Sequence, residues 1–375
     1  MISFLSSIPW EMMAWSVGKT LFLIFMVVLP MVSYTVYAER RISALIQDRI
    51  GPNRTGFPIS LLGFKKDWSP FLGGLGQPVA DTVKALLKED FVPAHVNKLY
   101  FWLAPALAVM PAMITLAAIP FGSEIFGTKL VVADINVGLL FMFAISSVSV
   151  YGIVLAGWSS NSKYPFLGGI RSTSQMISYE LSMGLSAIPV LLICSSTSLT
   201  KIVDYQINEG WLLCPITDGH LGLRELLLWV PVVIAFITFS ISMFAETNRL
   251  PFDLPESETE LVAGYHTEYS SMKFALFFLG EYTAMIAGSA LIVVLFFGGW
   301  HVPFLPSGAQ GWFWGLCSIG TFFAKVAALL GIFIWVRWTL PRFRFDQLMK
   351  IGWLYLFEIA LVNIFIAAGI LAFVK

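Results

Sequence analysis

Eight stretches of about 20 mainly apolar residues recur along this chain, and each is long enough to cross a lipid bilayer as a helix. They lie near residues 15–37, 100–119, 135–157, 174–194, 225–244, 274–297, 312–336 and 351–374. Of the 375 residues, 57% are hydrophobic and only 12% are charged, which is unusual for a soluble domain. A backbone inside lipid must satisfy its own hydrogen bonds, so these segments have to be helical. The sequence therefore predicts an all-α polytopic membrane protein, with residues 1–375 as a single integral membrane domain.

Basic residues are concentrated at one end of the predicted bundle. The loops after the first, third, fifth and seventh segments hold most of the 23 lysines and arginines. By the positive-inside rule these loops face the cytoplasm, and both termini lie on the outer side. Two of the cytoplasmic loops are long, residues 39–99 and residues 245–273. The N-terminus has no basic residue before its apolar run, so we expect no cleaved signal peptide.

Composition argues against several classes of function. Lys+Arg and Asp+Glu each number 23, so the balanced charge gives no basis for a nucleic-acid partner. The three cysteines and four histidines have no ligand spacing, which argues against a zinc site, an iron–sulfur cluster or a disulfide framework. No nucleotide-binding loop or Ser/His/Asp set is recognisable. The isolated chain is therefore expected to conduct charge rather than to carry out redox chemistry.

The first long loop contains the stretch GQPVADTVKALLKEDFVP. Asp81, Lys84 and Lys88 follow a helical spacing on one face, and apolar residues occupy the rest. This pattern predicts a short amphipathic helix on the membrane surface. Four arginines nearby could dock a soluble partner or steer an anionic group, namely Arg40, Arg41, Arg49 and Arg54. Basic residues beside a spanning helix are expected in any case.

The second long loop, residues 245–273, is acidic and is called the acidic loop below. Its carboxylates are Glu246, Asp253, Glu256, Glu258, Glu260 and Glu268, with Arg249 among them. Carboxylates this close together share protons and can pass them on. The alternative is an ordinary solvated loop. Against it stand apolar residues such as Leu250, Phe252 and Tyr265, which predict that the loop folds back against the protein.

Three charged residues lie inside predicted membrane segments, namely Glu180, Glu281 and Lys325. Each costs about 2.5–3.5 kcal/mol near the centre of a spanning helix, so such residues normally face the bundle interior or a water-filled cavity. Together with the acidic loop they predict a buried path for protons. A structural ion pair between Glu281 and Lys325 is the alternative. Glu358 lies near enough to the cytoplasmic end of its segment to reach the interface, and we assign it no role.

Six stretches resemble a known family when they are taken together. They read YAERRISALIQDRIGPNRTG, GQPVADTVKALLKED, GWSSNSKYPFLGGIRSTSQMISYE, AETNRLPFDLPESETELVAGYHTEY, GEYTAMI and RWTLPRFRFDQLMKIGW. These stretches resemble the subunit 1 family, also called the H-subunit family, of respiratory complex I, the proton-pumping NADH–quinone oxidoreductase. They cover every predicted cytoplasmic loop and much of the bundle.

The resemblance implies a subunit that joins the membrane arm to the peripheral arm of the complex and helps to form a chamber for the quinone substrate. Flavin, NADH and iron–sulfur clusters would be bound by other chains. The implied partners are the other membrane and peripheral-arm subunits, quinone and lipid, in a bacterial inner membrane. By position, the resemblance places these residues on an acidic proton path: Glu180, Glu246, Asp253, Glu256, Glu258, Glu260, Glu268, Glu281 and Lys325. It places a second set at the quinone chamber or its junction: Arg40, Arg49, Asp81, Lys84, Arg249, Arg337 and Arg342.

The sequence departs from the family pattern at two places and leaves three alternatives open. Residues 57–75 form an extra segment, and Glu358 stands where a proline is expected. A related chain of a membrane-bound hydrogenase, or of a complex with another electron donor, would share the same loops. A free-standing transporter is the second alternative, although no matching motifs recur in the two halves. The third is a purely structural anchor.

Overall fold

The chain is built almost entirely from helices that run back and forth through one bundle. The computed structural model describes residues 10–53, 55, 74–125, 128–214, 223–302 and 311–373. The helices are α1 Trp10–Phe22, α2 Leu29–Ile46, α3 Gln77–Leu87, α4 Lys98–Leu116, α5 Gly138–Ser159, α6 Lys163–Cys194, α7 Leu199–Glu209, α8 Leu223–Glu246, α9 Glu258–Leu261, α10 Ser271–Phe296, α11 Trp312–Thr339, α12 Phe345–Lys350 and α13 Phe357–Phe373. Turns of π-helix at Leu23–Val28 and Ile351–Leu356 join α1 to α2 and α12 to α13.

Within the described ranges, eight helices are long and apolar enough to cross a membrane, which confirms the predicted fold class. Several of them extend beyond the predicted segments. Helix α6 has 32 residues and is therefore about 48 Å long, well beyond the hydrocarbon core of about 30 Å. Its first turns, residues 163–173, were expected to be loop. The predicted surface helix is present as α3.

Helix α10 lies at the centre of the bundle. Over its most apolar stretch 78% of the residues are buried, compared with 22% for the spanning segment Ser16–Ile46. Small residues allow the neighbouring helices to approach closely, as is common in membranes. A Cβ atom on Gly152 of α5 would lie only 2.6 Å from the backbone nitrogen of Ala108 on α4. Helices α4 and α5 therefore pack backbone against backbone.

The two ends of the bundle differ in structure. A short antiparallel hairpin, β1 Gly122–Ile125 with β2 Thr128–Leu130, lies at the same end as α7. Ser123 of the hairpin donates its backbone N–H to Ser318 Oγ of α11 at 3.1 Å. We call this end the far face. The opposite end carries α3 and the acidic loop, and we call it the loop face.

The acidic loop is folded back onto the helices, as its apolar residues predict. Gln175 of α6 holds it with two hydrogen bonds of 2.8 Å, which its Nε2 donates to the carbonyls of Ala245 and Phe252. The Phe252 side chain is 4% exposed and packs against Tyr179. Residues 57–73 of the predicted extra segment lie outside the described residues.

Gly168 of α6 should be intolerant of a side chain, because its Cβ would lie 2.8 Å from the nitrogen of Tyr265 and 2.9 Å from the carbonyl oxygen of Pro255. We expect Gly168→Val to force the acidic loop away and to lower the free energy of unfolding by about 1–3 kcal/mol. The thermal midpoint of the detergent-solubilised protein measures this. Gly184→Val is the matched control, because nothing lies within 4 Å of that position on the same helix. Equal midpoints for the two variants would contradict the packing described here.

Candidate functional site: a buried charge cluster at the loop face

Arg249 of the acidic loop is the centre of a buried group of charges. Its Nε lies 3.1 Å from Glu281 Oε1 and its Nη1 lies 3.7 Å from Glu39 Oε2. The guanidinium carbon is 4.2 Å from the ring centroid of Tyr282, a cation–π contact. Only 5% of the arginine side chain is exposed. The loop is therefore anchored to α2 and α10 by a charge that has left water almost completely.

Glu39 of α2 joins another helix to this group. One of its oxygens pairs with Arg337 Nη1 of α11, and the other accepts a hydrogen bond of 2.7 Å from the hydroxyl of Tyr282. We call Glu39, Arg249, Glu281, Tyr282 and Arg337 the Arg249 cluster. It contains two guanidinium groups and two carboxylates, so its charges balance.

Glu39 and Tyr282 were missed as site residues in the sequence. Both lie within motifs that carry the resemblance, YAERR and GEYTAMI. Glu39 directly precedes the basic pair Arg40 and Arg41 at the end of a spanning helix. A carboxylate in that position was the available sequence signal for a site residue. Nothing in the sequence indicated its pairing with Arg337, which is almost 300 positions away.

The environment of Arg249 keeps it charged. Burial alone would lower its pKa, but the nearby Glu281, Tyr282 and Glu39 outweigh that effect and raise the pKa above the ordinary value for arginine. A buried cation of this kind is stable only while its carboxylate partners remain in place.

Asp253 and Arg342 form a second pair on the acidic loop. Arg342 Nη2 lies 2.7 Å from Asp253 Oδ2, and Nη1 donates to Thr259 Oγ1 at 3.2 Å. Burial raises the pKa of Asp253, and the positive charge of Arg342 offsets part of this rise. Arg342 thus binds the loop to the segment between α11 and α12.

Glu256 lies between these two groups. Burial raises its pKa well above the ordinary value, and the charges of Glu281 and Asp253 add to the rise, whereas Arg249 opposes it. His266 Nδ1 is 4.0 Å from Glu256 Oε1. Burial lowers the pKa of His266 to about 4, so the imidazole is neutral at pH 7 and does not supply a counter-charge. Glu256 is therefore a carboxyl group that binds a proton much more readily than an exposed glutamate.

A cavity of about 80 Å³ lies inside the bundle next to the Arg249 cluster. Glu281 borders it from α10, and Glu246 borders it from α8. Glu246 Oε2 is buried and has no hydrogen-bond partner among the described residues. Ser146 of α5 also borders the cavity, and Glu180 of α6 lies close enough for its charge to act on the Glu246 carboxyl group. The lining is mainly apolar, with Glu246 and Glu281 as its charged residues, and the volume is sufficient for water beside these two carboxyl groups.

Lys325 does not border this cavity, although the sequence predicted it on the same path. Its ammonium group donates to the carbonyls of Phe297 at 2.8 Å, Gly299 at 3.0 Å and His301 at 2.8 Å. These carbonyls follow the end of α10 at the far face, about 24 Å along the helix from Glu281. The Glu281–Lys325 ion pair considered from sequence is not formed, because Glu281 pairs with Arg249.

The remaining predicted acids lie around the edge of the loop. Glu260 pairs with Arg171 of α6 at 2.6 Å and is 55% exposed. Glu258 is exposed and Glu268 is half-buried. Glu258 and Glu260 are therefore open to water, unlike the Arg249 cluster.

The residues predicted at the chamber divide in the same way. Arg40 of α2 pairs with Asp81 of α3 at 2.8 Å, and Gln77 donates to the other oxygen of Asp81 at 2.8 Å. Lys84 is exposed, and Arg49 donates to Gln47 at the surface. Arg40 and Asp81 thus fix the surface helix to α2, whereas Lys84 and Arg49 lie outside the buried site.

The fold and the site define a multi-pass helical membrane protein that encloses a charge cluster and a cavity bordered by two glutamates. A family model described as NADH dehydrogenase matches residues 18–368, and the chain belongs to that family. One of the H subunits of NADH-quinone oxidoreductase from Geobacter metallireducens is 49% identical, covering 93% of this chain and 94% of its own. The H subunit of NADH-quinone oxidoreductase from Salinibacter ruber is 47% identical over 94% of this chain and 95% of its own length. NADH-quinone oxidoreductase subunit 8 of Rhodothermus marinus is 46% identical, covering 94% and 96%.

Removing the central cation should destabilise the protein strongly. Arg249→Met leaves Glu281 buried without its cation, and breaking a buried pair in this way costs about 3–5 kcal/mol. We expect a large fall in the thermal midpoint of the solubilised protein. Lys350→Met removes an exposed cation at the same face and should change the midpoint little. Equal effects of the two substitutions would show that the cluster does not hold the loop.

Glu256 should make stability depend on pH. Its folded pKa is raised above the ordinary value of 4.5, so its contribution to stability is complete below about pH 4.5 and is lost as pH rises through the folded pKa. Glu256→Gln removes this loss. The variant should gain stability relative to the parent as the pH is raised, by about 1.4 kcal/mol for each unit of the shift. The thermal midpoints of the parent and of Glu256→Gln are measured at pH 5 and at pH 8. If the midpoint changes equally in both proteins between these pH values, the raised pKa of Glu256 is refuted.

Proposed function

We propose that this chain is the membrane subunit in which quinone reduction is coupled to proton movement in a bacterial NADH-quinone oxidoreductase. The observation that carries the proposal is a connected series of ionisable groups. It begins at Glu256 in the acidic loop, passes through the Arg249 cluster, and reaches the cavity bordered by Glu281 and Glu246. The relatives' names supply the reaction, since each is a subunit of NADH-quinone oxidoreductase.

The chemistry of quinone requires such a series. Reduction of quinone to quinol takes up two electrons and two protons, so negative charge develops where the headgroup is reduced unless protons arrive. Carboxyl groups with raised pKa values bind protons more readily than exposed ones and can pass them to a site that takes up protons. Glu256 has this property at the loop face because burial raises its pKa. Glu246 continues the series at the cavity, and Glu180 lies close enough for its charge to act on Glu246.

The loop face also supports a role in the quinone chamber. The Arg40–Asp81 pair fixes α3 beside the end of α2, and α3 exposes Val79, Val83 and Leu86. An exposed apolar face next to the membrane suits the isoprenoid tail of a quinone or the lipid around it. Arg342 and Asp253 lie on the same face and would brace the junction with a peripheral partner.

The electron carriers in this proposal belong to other subunits. This chain would contribute binding surface and protonation sites, while NADH, flavin and iron–sulfur clusters would be held by peripheral-arm partners. The loop face would lie toward the cytoplasm, where most lysines and arginines are found, and both termini would lie on the outer side. The proposed proton path does not include Lys325, since its ammonium group is bound by three carbonyls at the far face.

Glu246→Gln tests the path without breaking an ion pair. In membranes that contain the assembled complex, we expect NADH oxidation by an artificial acceptor to stay unchanged, because that reaction does not need this chain. Quinone reduction and the accompanying proton translocation should fall by about 10²-fold or more, the usual contribution of a positioned proton donor or acceptor. Glu281→Gln should give the same pattern with lower stability.

Glu209→Gln is the control for this test, because it neutralises an exposed carboxylate at the far end of α7. It should leave all three activities as they are. Full quinone reduction and full proton translocation in Glu246→Gln would remove the cavity from the path and contradict the proposal.

A further inference from the structure

The surface helix α3 is held in place by polar contacts rather than by buried apolar surface. None of its residues 77–87, all of which are described, is buried. At its first turns it is tied to α2 by Arg40 and Asp81. Its other end must therefore be fixed by something else, since an isolated helix of 11 residues is marginal in water.

Two serines at the start of α10 fix that other end. Ser271 Oγ donates to the carbonyls of Ala85 and Lys88, both at 3.0 Å. Ser270 Oγ donates to the carbonyl of Glu89 at 3.1 Å. The last carbonyls of a helix have no partner within the helix, so α10 supplies hydrogen bonds that α3 cannot make for itself.

Lys273, in the first turn of α10, adds a charged contact to the same junction. Its Nζ lies 2.9 Å from Asp90 Oδ2, two residues after Lys88. The ammonium group also lies 3.6 Å from the ring centroid of Trp102 on α4. Its side chain is only 6% exposed, whereas Asp90 is 39% exposed. Burial of an ammonium group is unfavourable without such partners, so Lys273 holds the segment after α3 close to α4 and α10.

Helix α10 connects this junction to the Arg249 cluster. Glu281 and Tyr282 lie about 15 Å along the same helix from Ser271. Both side chains make cluster contacts, to Arg249 and to Glu39 respectively. A shift of the start of α10 along its axis would move both of these contacts together.

We propose that Ser270, Ser271 and Lys273 form a latch that couples the position of α3 to the position of Glu281, and that Lys273 is a positioning residue for the proton path. The inference rests on the proposed function, in which α3 borders the chamber that the quinone tail occupies. A tail that displaces α3 would pull on the latch, and α10 would carry the displacement to the Arg249 cluster.

A purely structural role for Lys273 predicts a different result. If the latch only stabilises the fold, its loss lowers the amount of assembled complex and reduces every activity in the same proportion. If it positions α3 and Glu281, the ratios between activities change while the assembled complex remains. The two roles are separated by normalising each activity to NADH oxidation by an artificial acceptor in the same membranes.

Lys273→Met tests the latch in the assembled complex, because it keeps an unbranched side chain over Trp102 and removes the charge. We expect KM for a soluble short-chain quinone to rise about tenfold, the change that about 1.4 kcal/mol produces. The number of protons moved per quinone reduced should fall, and hydrogen exchange of the α3 amides should become faster. Asp90→Asn should give the same changes, and the double variant should be no worse than either single variant.

Lys88→Met is the matched control, because its side chain is exposed and lies two residues from Asp90. It should leave KM, the proton ratio and the exchange of α3 unchanged. A proportional loss of all activities in Lys273→Met, or unchanged KM and α3 exchange, would overturn the latch. Glu246→Gln separates the two proposals. If Glu246→Gln impairs quinone reduction and proton translocation and Lys273→Met does not, the latch alone is refuted. If both variants have normal activities, the proposed function is refuted as well.

Discussion

The burial of one arginine is the constraint on which the loop face depends. A guanidinium group that leaves water must regain its lost hydration from fixed partners, and Arg249 does so through Glu39, Glu281 and the ring of Tyr282. Those partners come from two helices that are far apart in sequence, and Arg337 adds a third. The contacts are compatible only if α2, α10, α11 and the acidic loop keep their relative positions. The helices place these charges, and the pairing of the charges in turn fixes how the helices are arranged.

Apolar packing prepares the place for these charges. Helix α10 is the most deeply buried spanning helix in the described ranges, so a carboxylate at Glu281 is kept away from lipid. Close approach at Gly152 brings α4 and α5 together next to α10. At the loop face, Gln175 holds the acidic loop against the ends of the helices. What remains unfilled is the cavity beside Glu246 and Glu281. Two carboxyl groups that border one small cavity can be connected by water.

The sequence predicts the parts of this structure that depend on local pattern. Hydropathy identifies the spanning helices, and a helical period identifies α3. The apolar residues among the acids indicate that the loop folds back. Pairing over long distances cannot be read in this way, since any of several cations could have faced Glu281. Lys325 was the partner considered from the sequence, yet the carbonyls beyond the end of α10 hold it, and Arg249 pairs with the carboxylate instead. The helical start of α6 was missed because its polar residues resemble those of a loop.

The balance of charge bears on the proposed proton path. Within the Arg249 cluster the two guanidinium groups match Glu39 and Glu281, so the cluster itself has no need of an extra proton. The unbalanced acids lie on either side of it, with Glu256 toward the loop face and Glu246 toward the cavity. Glu256 and Glu281 both act on Arg249, and Arg249 cannot neutralise two carboxylates at once. In the proposed function, ionisation of Glu256 weakens the attraction between Arg249 and Glu281, and a proton is then bound more readily at the cavity side. In this way a new charge at the loop face changes the electrostatic environment of Glu281 inside the bundle, because both carboxylates interact with Arg249. No proton has to cross the Arg249 cluster.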